Sequence, residues 1–423
     1  MIVEPRGYPL LLAGNIVSTF GSSIYVVTLV LYLADATDSA ATLGLLQFLA
    51  YLPAALLGPV AGALVDHWNR KLIIVWTDLA RAAIMLTVAA IGVLATIPVW
   101  LLMVATVAVS VAGVLFVPAV HALVPALVAP TGLRRANGTR SAGTQIANLA
   151  GSAIGGALYV LLGAPLVILA NGVSFLLSGV SETAIRPRIE AEPEESYAAS
   201  RAPRARLWAR TREGFAFLLA HREIRSLVLV QALVNLLLPP LVVALPFVIG
   251  EIWELSPEYF GYMFATVLGG GIVGFVVFSR SRANQMSDAV AYRSAVVALA
   301  TALSGLAVLT VPVTTAPILL VPLLLLVFFI AGGAVAVVHM IGVTRLQQTV
   351  AVAMRGRVFA AMETLTAILL PAAYMVSGLL AEAVRDSLYL LFLAVAVGAA
   401  LLAVSVIVGL PTPGVRKRGR RKW

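Results

Sequence analysis

The chain has 423 residues, 61% hydrophobic and only 11% charged, with a formal net charge of +10 and a mean hydropathy of +1.00. A water-soluble protein of this length could not hide so much apolar surface, so the solvent must be lipid. The absence of cysteine excludes a disulfide scaffold, a thiolate metal site and a cysteine nucleophile.

Twelve apolar segments are long enough to cross about 30 Å of hydrocarbon. They lie near 9–33, 42–65, 72–95, 99–125, 138–163, 165–185, 223–250, 258–280, 290–311, 317–345, 358–382 and 387–410. Each must be helical, because lipid offers no partner to a backbone amide. The first run is too long for a signal-peptide core and reads as the first span. The least distinct boundaries are at Gly163-Ala164-Pro165 and Asp386-Ser387.

Cations alternate between the junctions. With the N-terminus inside, the inner junctions hold Arg70 and Lys71; Arg134, Arg135 and Arg140; nine arginines from Arg186 to Arg225; Arg280, Arg282 and Arg293; and Arg345, Arg355 and Arg357. The opposite face holds Arg385 beside Asp35, Asp38, Glu251, Glu254, Glu258, Glu382 and Asp386. The positive-inside rule then places both termini in the cytoplasm. The basic tail, 411–423, is expected to anchor to anionic headgroups rather than to bind nucleic acid.

The spans divide into an N-terminal six-helix bundle, 1–185, and a C-terminal one, 223–410. The linker 186–222 carries an acidic patch (Glu190, Glu192, Glu194, Glu195) and then an arginine-rich stretch. Leu207, Trp208, Phe215, Leu218 and Leu219 recur at roughly helical spacing. They predict either an amphipathic helix on the inner membrane surface or an extension of span 7. The halves read as repeats: Leu127–Gly138 parallels Thr349–Phe359. In that register Gly151-x-x-x-Gly155-Gly156 falls on Ala373-x-x-x-Ser377-Gly378. The expected fold is an all-α membrane protein of twelve transmembrane helices in two pseudo-symmetric six-helix bundles, with a midplane site between them.

Polar residues inside spans are costly and usually face a partner or a cavity. Asp78 and Arg81 lie three apart on one helix face, which fits a local ion pair or a substrate contact, and Asp78 is also a candidate for proton coupling. Glu363 lies about one turn inside span 11 with no nearby cation in sequence. A carboxyl desolvated there could carry a proton or bond a neighbouring helix. His121 and His339 could relay protons or simply hydrogen-bond to neighbours. Asn15, Ser22, Tyr25, Gln47, Tyr51, Gln145, Asn148, Gln231, Asn235 and Tyr374 could line a cavity or link helices. Gly269-Gly270-Gly271-x-x-Gly274 sits inside span 8 with no strand before it, so it is no nucleotide loop. No metal-ligand spacing, phosphate loop or catalytic elbow occurs, and neither cofactor nor metal is expected.

The turn Gly62-x-Leu64-x-Asp66-x-x-x-Arg70-Lys71 resembles the signature loop of the major facilitator superfamily of transporters. With Asp78-Leu79-Ala80-Arg81, Leu133–Gly138 and Gln347–Phe359, the chain resembles the superfamily's bacterial branch of macrolide, tetracycline and siderophore exporters. In span 5, Gly138, Gly151, Gly155 and Gly156 are similar to the glycine motif of the superfamily's antiporters, with Ala147 and Ser152 where Gly and Pro are usual. Small residues there let helices pack closely, as they do in any tightly packed pair. Relatives often carry an acid where this chain has Ser22, so coupling through span 1 is in doubt. On this reading Gly62, Asp66, Arg70, Lys71 and Arg81 form a conformational latch. Asp66 would pair with Arg81, or with a helix N-terminus of the other half, in one state only. The resemblance implies a monomeric, proton-linked exporter of amphiphilic small molecules in a bacterial inner membrane. The alternatives are uptake or facilitated diffusion of a metabolite, a non-transporting membrane sensor or assembly partner, and a lipid-moving protein.

Overall fold

A computed structural model describes residues 7–186, 204–281, 288–311, 317–350 and 352–408. Among these residues there is no strand. The helices are α1 (Gly7–Thr37), α2 (Ala40–His67), α3 (Arg70–Leu94), α4 (Val99–Leu127), α5 (Leu133–Thr183), α6 (Arg204–Ala220), α7 (Arg222–Leu236), α8 (Pro239–Phe247), α9 (Glu258–Ser281), α10 (Asp288–Leu309), α11 (Pro317–Thr349), α12 (Val352–Ala383) and α13 (Tyr389–Val408).

Eleven helical runs among the described residues are long and apolar enough to cross a membrane. One of them, α5, has 51 residues. A straight helix of that length would reach roughly 75 Å, more than twice the hydrocarbon thickness. It turns at Gly163, where φ is 75° and ψ 166°. That backbone is open to glycine, and Pro165 beyond it could not continue the ladder. The 133–162 and 164–183 arms are thus two crossings on a one-residue turn, which makes twelve. Elsewhere the predicted boundaries hold within a few residues. The junction at Asp386-Ser387 is a single 3₁₀ turn, Arg385–Ser387.

The turn after span 2 is tighter than the sequence predicts. The α2 helix runs to His67, and Asn69 caps α3 by accepting from the Lys71 and Leu72 amides at 3.0 and 3.2 Å. Only Trp68 and Asn69 separate the two helices. Span 7 is broken instead of continuous. The break at Leu237-Leu238 precedes Pro239, whose ring disfavours an α-conformation at Leu238. A π-turn over Val248–Ile252 then ends the run.

The linker helix exists as α6, separated from α7 by extended backbone at His221, with φ −105° and ψ 101°. Part of its apolar face packs on protein, while Leu219 is exposed. Leu218 is buried with Ile224, Val228, Leu346, Val350 and Val358, and Phe215 and Phe217 pack on the same cluster. The acidic patch of the linker and the basic tail lie outside the described residues.

The chain forms two compact units. One comprises Met1–Pro203, Leu245–Ala265 and Leu370–Glu382; the other comprises Arg204–Ala244, Thr266–Leu369 and Ala383–Trp423. Compactness therefore does not follow the linker alone. The first unit gathers α1–α5 with segments from the second half of the sequence. Its densest packing is of α1 and α3 on α5, where Gly172 and Gly179 bring the second arm of α5 onto Leu86 and Leu79 of α3. In the second unit Gly270 and Gly274 of α9 meet the backbones of Phe329 and Gly333 in α11. The glycine run read from sequence is thus a helix-packing face.

Candidate transport site

The first unit holds a buried group of charges. On α3, Asp78 and Arg81 are neighbours on one helix face, and Arg81 Nη1 donates to Asp78 Oδ1 at 3.2 Å. The guanidinium lies over the rings of Phe116 (4.8 Å) and Phe175 (5.4 Å). These cation–π contacts suit a planar cation held away from water. Glu182, on the second arm of α5, is fully buried and within electrostatic reach of both Asp78 and Arg81. Ser178, one turn earlier, donates to its Oε1 at 3.4 Å. The sequence reading missed Glu182 altogether. Its signal was an acid inside an otherwise apolar run of crossing length.

Arg81 is engaged by Asp78 and by aromatic rings of its own unit. Lys71 Nζ donates to the Thr183 carbonyl at 2.6 Å, so it closes the C-terminus of α5. Arg70 is half-buried at the first position of α3. Beyond their place in α2, Gly62 and Asp66 are outside what the structure describes. Glu363, expected to be a desolvated acid, is exposed on α12, and His121 and His339 are exposed too. The protein buries Asp78 and Glu182 instead, because α3 and α5 pack face to face through glycines.

The neutral polar candidates divide into four groups. Asn15 and Tyr25 are buried on α1 and Ser22 is half-buried. Asn15 Oδ1 takes no hydrogen bond. Asn148 Oδ1 accepts from Ser23 at 2.6 Å, tying α5 to α1, while Gln145 is exposed and Gln47 half-buried. In the second unit Gln231 donates to Asn235 on its own helix at 3.4 Å. Tyr51 and Tyr374 stack, with ring centroids 5.3 Å apart.

That stack belongs to a seam between α2 and the 370–382 segment of α12, both in the first unit. A Cβ on Gly44 would stand 2.7 Å from both Gly378 Cα and the Tyr374 carbonyl oxygen, closer than real side-chain carbons come. Beyond it, at the N-terminus of α2, Glu382 Oε2 accepts from Ser39 Oγ at 3.1 Å and from the Ala41 amide at 3.2 Å. A second seam joins α5 to α9. Gly156 meets the Glu258 backbone at 2.7 Å, and Gly261 meets the Ser152 carbonyl at 2.6 Å, each measured from an added Cβ. Gly156 and Gly378 are the residues that the repeat register aligns, and each sits at a backbone crossing of its own seam. Of the other motif glycines, Gly151 and Gly155 press against α1, whereas Gly138 faces open space.

The fold and these seams define the class: an all-helical, multi-pass membrane protein built from duplicated six-helix sets. The profile of the Major Facilitator Superfamily matches residues 11–368, and the chain belongs to that superfamily, a family of transporters and not of enzymes. It is 28% identical over 174 residues to macrolide efflux protein A of Streptococcus pyogenes, covering 41% of this chain and 43% of that one. The chain thus spans less than half the length of that relative. It is 26% identical over 390 residues to the MFS-type transporter YfiS of Bacillus subtilis, covering 90% and 88% of the two chains. Among solved structures, the nucleoside transporter NupG aligns with a TM-score of 0.74 at 12% identity, over 95% of this chain and 98% of that one. A bacterial homologue of the iron transporter ferroportin aligns with a TM-score of 0.70 at 16% identity, over 95% and 97%. At these identities the likeness is one of fold.

Proposed function

We propose that the chain is a proton-linked exporter of amphiphilic small molecules, working by alternating access as a monomer in a bacterial inner membrane with both termini cytoplasmic. The observation that carries this reading is the pair of glycine seams, Gly44–Gly378 and Gly156–Gly261. A contact made by bare backbones, with one ring stack and one exposed carboxylate cap, can part without unlocking side chains. Such seams suit a gate that opens and closes once per cycle, and the cation asymmetry of the junctions puts their Ser39 and Glu382 end outside the cell. The partial match to macrolide efflux proteins supports the outward direction. The neutral hydrogen-bonding groups of α1 and α5, Asn15, Ser23, Tyr25 and Asn148, suit a largely apolar substrate with a few polar atoms.

The test is accumulation of ethidium and of a macrolide in a pump-deficient host expressing the chain. Lower accumulation, restored by a protonophore, is expected. Higher accumulation on expression overturns export, and reduced accumulation that ignores the protonophore overturns proton linkage.

A further inference from the structure

We propose that Asp78, Glu182 and Arg81 form a proton-binding site in which one proton, held on Glu182, balances two carboxylates against one guanidinium. The proposal deepens the proton-linked reading by naming the carrier, and the site is tested apart from transport.

The three groups are enclosed: Asp78 and Glu182 are 0% exposed and Arg81 8%. Two buried acids facing one buried cation leave one negative charge uncompensated, a state that proteins avoid by taking up a proton. The hydrogen bonds point to the same deficit. Asp78 Oδ2, Glu182 Oε2 and Arg81 Nε have no partner. Two ionised carboxylates offer only acceptors, so they cannot satisfy each other, whereas a protonated one gains an O–H donor. Asp78 holds Arg81 directly, so the proton falls to Glu182, whose one bond is a 3.4 Å contact from the neutral Ser178 hydroxyl.

Among the described side chains the surroundings supply no other buried charge. From α4 come Phe116 and Gly113, which faces Arg81 Nη2. From α1 comes Gly14, packed on Ser178 and Ser181. Lys71, bonded to the Thr183 carbonyl one residue beyond Glu182, is spent on that contact. A metal cation fits poorly, since it would need several oxygens and would be repelled by the guanidinium.

The chemistry is reversible O–H formation at Glu182 Oε2, with the proton taken from and returned to water when the site is exposed. Infrared titration of the purified full-length protein reads it without substrate. The wild type is expected to show the carbonyl stretch of a buried protonated carboxyl at neutral pH, unchanged when choline chloride replaces sodium chloride. Glu182→Gln removes that band. Asp78→Asn also removes it, because Glu182 then balances Arg81 alone and ionises. Glu213→Gln, in a surface pair, leaves it in place. Thermal unfolding confirms that each variant is folded, and Glu182→Asp, which retains a carboxyl, is expected to restore the band. Absence of the band in the wild type, its survival in Glu182→Gln, or a shift with sodium overturns the proposal. An exporter that ignored protonophores while keeping this band would sink the coupling and leave the site standing.

Discussion

Tyr51 of α2 and Tyr374 of α12 lie ring over ring, with planes 4° from parallel and centroids 5.3 Å apart. They come from different halves of the duplicated sequence and, with the Ser39–Glu382 bond, interlock a seam where glycine backbones cross. Parallel stacking adds about 0.5–1.5 kcal/mol beyond simple burial. Tyr374→Ala is therefore expected to weaken seam closure by roughly three- to tenfold, while Tyr374→Phe retains it. Accessibility of a cysteine introduced at Ser39 measures this in the thiol-free background. Equal labelling of both variants would show that the stack carries no weight.

Gly378→Val has a larger expected effect. Any Cβ at the crossing meets backbone at 2.7–2.8 Å on Gly44 Cα and the Ala40 carbonyl, and backbone cannot swing aside as a side chain does. The α2–α12 seam then stays apart, and thiol labelling at Ser39 should rise toward completion while transport stops. Gly138→Ala, which places its methyl in open space, should leave expression and transport unchanged. A transport-dead Gly138→Ala would restore that residue to the glycine motif.

Glu382 caps α2 through the Ser39 hydroxyl and the Ala41 amide. A carboxylate at a helix N-terminus contributes about 0.3–1 kcal/mol when exposed. Glu382→Gln should shift the open-to-closed ratio by no more than about fivefold, and less at high salt, where the charge is screened. A salt-independent effect on labelling of a cysteine placed at Ala41, which leaves the Ser39 hydroxyl intact, would locate the interaction elsewhere.

Arg81→Ala leaves Asp78 and Glu182 without their cation. Removing one partner of a buried pair costs about 3–5 kcal/mol, so detergent-solubilised protein should unfold many degrees lower. Asp78→Asn in the same chain should recover much of the loss. Differential scanning fluorimetry decides it: a single variant as stable as wild type would mean that the cluster is solvated. By contrast, the exposed Arg357–Glu213 pair at 2.6 Å should contribute less than about 1 kcal/mol.

The fold was legible because lipid imposes one rule on every span: about 20 apolar residues with all backbone bonds internal. The twelve crossings and the existence of a short turn after span 2 follow from that rule, whereas the separation of the linker helix from span 7 did not. What sequence could not supply was partnership across helices. Asp78 and Arg81 were visible because three residues make a helix face. Glu182 was not, because its role depends on α5 packing against α3 through Gly172 and Gly179. Glu363 stood out by its position in a span, but its side chain is not enclosed by protein as Glu182 is. The pairing of Gly156 with Gly378 was visible only as an aligned repeat. That each sits on a backbone crossing required the coordinates.

The bend at Gly163 has a mechanical consequence. Its first arm carries Gly156 at a seam and its second carries Glu182 in the charge cluster, and one residue connects them. A link that short has no slack to absorb movement. Titration at Glu182 that rocked the second arm would pull on the first like the far side of a lever, so chemistry at one end of the hairpin would reach the gate at the other without any intervening relay.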